Sequence, residues 1–326
     1  MDFTIKKYSS LLHSLLEGKY EYYTYGDYVK YSIINHQSPC IILRHDVDRL
    51  PHNSLRLAEL ENALGIKGSY YFRVVPGSYD IDIMNKIAEL GHEIGYHYED
   101  VDLIIRKSKL KIKNERDIDL LIDMSYESFS TNLAMLRRNF DIKTICMHGS
   151  PQSQYDNKII WLKYDYKNLG LTGEPYLDID WDEWGYLTDT GRRWNGSNVS
   201  IRDKVGNNHR DLESLSIEKS SSQYPDMKYY YQRGITNSKE KEVINNQMAG
   251  HINKFKKTSN IIHGLNELPD KIMFTIHPQR WADNSILWAK ELIGQNAKNI
   301  IKKYIIKSAI VNNNALYYNA RNAYQN

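Results

Sequence analysis

The sequence has few cysteines, little net charge and no long apolar run. Only Cys40 and Cys146 occur among its 326 residues. Both lie in short apolar runs, where a cysteine usually behaves as a small buried hydrophobe, so we expect no disulfide framework. The formal charge of +3, from 43 basic and 40 acidic residues, gives no uniform field for a polyanion. We therefore expect no nucleic-acid partner.

Apolar stretches long enough for targeting or membrane insertion are also missing. No segment approaches the roughly 18 apolar residues of a membrane span. The N-terminal segment lacks the apolar stretch of a signal peptide, so a cytoplasmic location without a membrane span is expected. The 41% hydrophobic and 25% charged residues are typical of a globular protein.

What is present is an alternation of short apolar runs and amphipathic segments. Strands are predicted at 40–43, 69–75, 92–97, 144–147 and 271–276, with further ones at 171–178 and 184–189. Helices are predicted over 3–16, 53–64 (capped by Asn53 or Ser54), 80–90, 118–136 and 284–306. The alternation indicates an α/β fold with parallel strands, either a barrel or a doubly wound sheet. We expect a single domain over 1–326, with its core at about 38–290 and a polar insertion at about 195–258.

Four of the apolar runs end in side chains that bind metals or move protons. Asp46 and Asp48 follow the run CIIL, His97 follows HEIGY, His148 follows TICM and His277 follows KIMFTI. In parallel α/β folds the carboxyl ends of the strands share one face, so these side chains are expected to meet there.

The chemistry of these groups indicates a metal site with an acid and a base. Imidazole and carboxylate ligands suit zinc and similar metals, and three protein ligands leave a position open. Asp46 lies two positions before Asp48 and points to the same side of an extended segment, where it is placed to act as a base. His277 is placed to supply the proton that a leaving amine needs.

Three motifs resemble the polysaccharide deacetylase family, also called the NodB-homology or carbohydrate esterase family 4 group. They are RHDVD at 44–48, GHEIGYH at 91–97 and MFTIHP at 273–278. The resemblance implies an irregular (β/α) barrel in which Asp46 is the base, Asp48 and His97 bind the metal, and His277 is the acid. It also implies that His92 packs beneath the site.

The chain departs from the family pattern at two places. Val101 stands where the family has a second metal-binding His, four residues after the first. CMHGSP replaces the family's Arg and Pro-Tyr-Gly motif, so His148 is the candidate third ligand. The acidic residues Glu99, Asp100 and Asp102 are rival donors.

Arginine and tryptophan near the strand ends are candidates for holding a polar, ring-shaped ligand. The segment at 186–196 offers Arg192 and Trp194 beside Asp189, and Arg280 and Trp281 follow His277. A salt-bridged turn over a packed Trp explains such a segment equally well. Arg44 and Glu99 complete the predicted substrate-binding set.

The function expected from this site is metal-dependent hydrolysis, with zinc as the favoured metal. The resemblance implies removal of an acyl group, such as acetyl, from an amino sugar or glycan in surface-polysaccharide or precursor metabolism. Two alternatives stay open. One is a catalytically silent carbohydrate-binding protein on the same fold, and the other is a hydrolase of a different C–N bond, such as a formamide or a cyclic amide.

Overall fold

The computed structural model of the protein describes residues 1–18, 20–31, 38–108, 110, 115–149, 155–194 and 255–296. Most of the predicted insertion, and the predicted helix after residue 296, lie outside these residues. No helix in the described part of the chain is both long and apolar enough to cross a membrane.

Seven parallel strands form a sheet that curls into a half-barrel. The strands are β1 (Glu21–Tyr23), β2 (Cys40–Val47), β3 (Ser69–Phe72), β4 (Glu93–Tyr98), β5 (Ile145–Met147), β6 (Gly185–Thr188) and β7 (Lys271–Ile276). Six of them pair in the order β5-β4-β3-β2-β7-β6, and β1 pairs with the start of β2. The predicted α/β fold with a parallel sheet is confirmed, and the carboxyl ends of the strands lie at one edge.

Helices connect the strands. They are α1 (Ile5–Leu16), α2 (Tyr25–Tyr31), α3 (Pro51–Ala63), α4 (Ile81–Glu89), α5 (Asp100–Ser108), α6 (Glu115–Leu136), α7 (Pro175–Asp178) and α8 (Thr258–His263). Short 3-10 turns lie at Asn157–Leu162, Tyr166–Leu169, Leu265–Glu267 and Pro278–Arg280. The chain is helical again over residues 285–296.

Alternation along β2 separates two apolar layers. Cys40 and Ile42 face the interior of the half-barrel, where they pack with Met273 of β7. Ile41 and Leu43 face outward and pack against α1 and α3. Because successive side chains point to opposite faces, the same alternation brings Arg44 and Asp46 into the interior.

The segment 171–178, predicted as a strand, is instead mostly helical. Gly173 makes a single bridge to Thr144, and α7 begins at Pro175. Proline has no N–H for a strand ladder but fits the first turn of a helix. The Glu174 carboxylate caps this helix by accepting a hydrogen bond of 3.1 Å from the backbone N–H of Leu177.

Helix α3 begins at Pro51, so the predicted cap at Asn53 or Ser54 is wrong. Leu50 precedes the helix in the left-handed region, with φ 54°. The Asn53 side chain instead donates to the carbonyls of Pro278 and Trp281, each at 3.2 Å. These two bonds tie α3 to the turn that follows β7.

Candidate metal centre

The ends of four strands bring their polar side chains together inside the half-barrel. Asp48 follows β2, His97 lies in β4, His148 follows β5 and His277 follows β7. Asp48, His97 and His148 form a cluster, here called the metal centre, whose donor atoms all lie within 4.8 Å of one another.

The spacing of these atoms suits a first-row metal ion. Asp48 Oδ1 lies 3.6 Å from His97 Nε2 and 3.5 Å from His148 Nε2. In a tetrahedral site with metal–ligand bonds of about 2.0–2.1 Å, neighbouring donor atoms lie about 3.3 Å apart. The separations in this structure are therefore close to those that zinc needs.

The hydrogen bond on the far side of His97 sets its tautomer. His97 Nδ1 lies 2.9 Å from the carbonyl oxygen of Cys146. Since a carbonyl only accepts, Nδ1 carries a proton, and Nε2 is the nitrogen that faces Asp48. His97 is thus oriented with Nε2 toward Asp48, as a metal ligand would be.

His148 is supported by Glu99, which lies behind it. His148 Nδ1 is 3.3 Å from Glu99 Oε2, and Arg73 binds the other oxygen of Glu99 through Nε and Nη2. Burial alone would raise the pKa of Glu99, but His148 and Arg73 together lower it to about 2. Glu99 is therefore an ionised carboxylate that lies beside His148 Nδ1.

Asp48 holds an unsatisfied oxygen at the middle of the metal centre. Its Oδ2 accepts a hydrogen bond of 2.9 Å from Gln279 Nε2, but its buried Oδ1 has no hydrogen-bond partner among the described residues. Burial opposes ionisation, yet the pKa of Asp48 lies well below its usual range, chiefly because His97, His148 and His277 face it. A buried polar atom normally has a partner, and a cation would supply one here.

Asp46 lies beside the metal centre and is held by Arg44. Arg44 donates through Nε to Oδ1 at 2.9 Å and through Nη2 to Oδ2 at 2.6 Å, a bidentate pair. Burial raises the pKa of Asp46, but Arg44 and His97 bring it below the ordinary value. Asp46 Oδ2 lies 3.9 Å from His97 Nε2.

Arg44 was predicted to bind substrate, but its side chain is fully buried. Its guanidinium lies 4.8 Å from the centroid of the Tyr176 ring and donates to that hydroxyl at 2.9 Å. Within the described part of the chain, the polar contacts of its side chain are with Asp46, Tyr176 and the Met273 sulfur. In this structure Arg44 therefore contacts Asp46 and has no exposed surface for a ligand.

Two other clusters have ligand-like spacing but poorer chemistry. Asp46, His97 and Cys146 lie within 4.8 Å of one another, yet both Asp46 oxygens already bind the Arg44 cation. The second cluster consists of Glu99, Asp102 and His148, and in it Glu99 accepts hydrogen bonds from Arg73 and Arg106. A nearby guanidinium disfavours a second cation, so Asp48, His97 and His148 fit a metal best.

His277 is oriented by Asp189, which follows β6. His277 Nδ1 lies 2.7 Å from Asp189 Oδ1, and its backbone N–H donates to Oδ2 at 3.0 Å. Burial and Arg280 lower the pKa of His277, but Asp189 and Asp48 outweigh them and raise it. The imidazole therefore tends to hold its proton.

The remaining predicted substrate-binding side chains are not brought to the metal centre. Trp194 is 1% exposed and packs against Phe274, with its Nε1–H on Thr258. Trp281 is fully buried and donates to Asp189. Arg280 also binds Asp189, and Arg192 lies over the ring of Phe3. These residues support His277 through Asp189 or fill the core.

Sequence reasoning gave no role to Gln279 or Tyr176, and it read Asp189 only as part of a ligand-holding segment. The one available signal was position, because Asp189 comes directly after a strand and Gln279 lies two residues after His277. Their partners are distant in the chain, since Gln279 and Asp48 are 231 positions apart.

Comparison with known proteins adds no relative. No protein-family model matches the chain, and no curated protein is significantly similar to it.

Proposed function

We propose that this protein is a metal-dependent hydrolase that removes an acyl group from an amino-sugar amide, as a divergent member of the polysaccharide deacetylase type. The observation that carries the proposal is the arrangement of Asp48, His97 and His148 around a common point, with Asp46 on one side and His277 near by. A pure binding site has no need of this base and acid.

Asp48, His97 and His148 would hold the metal, and zinc suits this donor set. When bound, a metal of this kind polarises a carbonyl and lowers the pKa of water. By holding the metal, these three side chains would determine the direction in which the acyl carbonyl of a substrate points. The position is largely shielded, because Asp48 is 21% exposed and His97 is 2% exposed.

Asp46 would act as the general base. Arg44 keeps it ionised and fixes its direction, and the remaining lone pair of Oδ2 would accept a proton from the attacking water. His277 would act as the general acid at the nitrogen of the scissile bond. Asp189 and Arg280 both contact Nδ1, which leaves Nε2 to deliver a proton to the leaving amine.

The substrate class follows from the motif resemblance and is supported by the presence of an acid. Amines are poor leaving groups unless protonated, so the His277–Asp189 pair suits an amide. A second C–N hydrolase reading, with a formamide or cyclic amide as substrate, uses the same groups and is separated from the first by the substrate panel below.

The test is release of a carboxylic acid from amino-sugar nucleotides and short N-acylated glycans by metal-loaded protein. Asp46→Asn is expected to keep the metal and lower turnover by about a hundredfold, the usual size of a general-base contribution. Asp123→Asn is the matched control, because it alters a carboxylate of α6 that pairs with Lys163 away from the metal centre. Hydrolysis of formamides or cyclic amides alone would select the second reading, and no hydrolysis of either panel would contradict the proposal.

A further inference from the structure

Gln279 is a buried amide that touches the metal centre. It lies on the turn Pro278–Arg280, two residues after His277, and is 5% exposed. Its Nε2 donates a hydrogen bond of 2.9 Å to Asp48 Oδ2. The base, the acid and the metal ligands described above leave this side chain without a function.

The bond to Asp48 fixes which way the amide faces. An ionised carboxylate only accepts hydrogen bonds, so Gln279 must present its NH₂ group to Asp48 and turn its Oε1 aside. Because amide C–O and C–N bonds are about 1.2 and 1.3 Å long, Oε1 lies no more than about 5 Å from Asp48 Oδ2.

Gln279 Oε1 is an acceptor without a donor. It is buried and makes no hydrogen bond with any described residue. Buried acceptors are normally satisfied, and leaving one unpaired costs free energy. Asp48 Oδ1, the neighbouring unpaired acceptor, faces the imidazoles and suits a cation. Gln279 Oε1 belongs to a neutral amide, so the partner that suits it is a hydrogen-bond donor on a bound ligand.

The turn that carries Gln279 is held firmly. Asn53 donates to the carbonyls of Pro278 and Trp281 on either side of it. Arg280 and Trp281 both bind Asp189, which also holds His277. The unpaired acceptor is therefore presented in a fixed direction, as selective recognition requires.

We infer that Gln279 determines specificity by accepting a hydrogen bond, through Oε1, from the N–H of the scissile amide. This inference rests on the proposed function. If the carbonyl of a substrate is held at Asp48, His97 and His148, the adjacent amide nitrogen would lie within reach of Gln279, which contacts Asp48. Esters and tertiary amides lack this N–H and would leave Oε1 unpaired, so they are expected to bind less well.

The test uses a pair of small metal-binding probes. Acetohydroxamate and N-methylacetohydroxamate bind a metal through the same two oxygens, but only the first has an N–H. Their affinities for the cobalt(II)-loaded protein are measured by visible absorption in the wild type and in Gln279→Met, which has a similar size but neither donor nor acceptor. The preference for the N–H probe is expected to be about tenfold greater in the wild type than in the variant.

Gln295→Met is the matched control. Gln295 is also buried, and its Nε2 donates at 2.8 Å to the carboxylate of Glu291, which is not part of the metal centre. This variant is expected to keep the wild-type preference. If Gln279→Met fails to retain cobalt, Gln279→Asn takes its place, because withdrawing the amide by one methylene should reduce the preference in the same way.

The outcomes separate the two proposals. An equal preference in the wild type and in the Gln279 variant, with cobalt bound to both, would overturn this inference and leave the proposed function standing. A wild-type protein that binds no cobalt would overturn both.

Discussion

At the scale of single residues, Arg44 and Asp189 each hold a group on which the proposed chemistry depends. Arg44 pairs with Asp46 in a bidentate geometry, and both side chains are almost entirely buried. Removing one partner of such a pair costs about 3–5 kcal/mol, because the other charge stays buried and unpaired. Arg44 thus links the reactivity of Asp46 to the stability of β2.

Asp189 provides a prediction about the pH dependence of the reaction. Burial and Arg280 lower the pKa of His277, yet Asp189 and Asp48 raise it overall. The imidazole therefore stays protonated at pH values above the ordinary pKa of histidine. Asp189→Asn removes a negative charge, which should lower this pKa. The alkaline limb of the kcat/KM profile for an amide is then expected to move to lower pH, with a loss of about a hundredfold on the alkaline side.

The measurement is a pH–rate profile of wild type and variant, with metal content determined on the same samples. Asp123→Asn should leave the alkaline limb in place, since Asp123 pairs with Lys163 away from His277. A lower rate at every pH with an unmoved limb would mean that Asp189 only supports the fold around His277.

The site residues that were predicted from the sequence share one property: each lies at or directly after the end of an apolar run. This property was enough to group Asp48, His97 and His148. This property could not show that Arg44 pairs with Asp46, because the sequence does not distinguish a buried arginine from one that binds a ligand. Nor could it pair Gln279 with Asp48, since that contact depends on how β2 and β7 align in the sheet.

At the scale of secondary-structure elements, a buried polar cluster joins α1 and α3 to the sheet. Glu61 of α3 accepts hydrogen bonds from Tyr8 of α1 at 2.5 Å and Tyr70 of β3 at 2.9 Å. His45 of β2 lies 2.8 Å from the same carboxylate and stacks on the Tyr70 ring. His92 binds the Ala58 carbonyl and the Gly68 N–H, so it packs within the fold.

Tyr8→Phe is predicted to destabilise the protein by about 2 kcal/mol, because it removes a hydrogen bond to a buried charged group.

Burial raises the pKa of Glu61, but His45 and His92 bring it below the ordinary value. The stabilisation from the ionised carboxylate is therefore present above the ordinary pKa of Glu and is lost as the pH falls through the lowered value. Urea unfolding at neutral and acidic pH measures both effects.

Tyr79→Phe is the control for this experiment. Tyr79 is partly buried, and its hydroxyl makes no hydrogen bond within the described part of the chain. Its loss should change the free energy of unfolding by less than about 0.5 kcal/mol. A Tyr8→Phe protein as stable as this control at neutral pH would mean that α1 is held by its apolar face alone.

Element prediction succeeded where apolar periodicity was strong and failed where local backbone chemistry prevailed. The run KIMFTI is β7 over the predicted residues, and Asp80 caps α4 as expected. The segment 171–178 failed because Pro175 and the Glu174 cap favour a helical turn. The three residues of β1 were too few to give a pattern, and they become a strand only by pairing with β2.

At the scale of the whole molecule, the order of the strands builds the site. β4 and β5 are neighbours on one side and carry His97 and His148, whereas β2 and β7 are neighbours on the other and lead to Asp48 and His277. The curl of the sheet brings the two pairs to face one interior. Separate stretches of sequence therefore contribute one side chain each to the cluster, which is why the sequence shows it only as a pattern of strand ends.

The most direct test of this account is the metal content of the purified protein. Elemental analysis of the wild type is expected to give about one divalent transition metal per chain. Asp48→Ala combined with His97→Ala should abolish it, and His13→Ala, which alters an exposed histidine on α1, should not. Stoichiometric metal that persists in the double variant, or a wild type that takes up none from a zinc solution, would contradict the account.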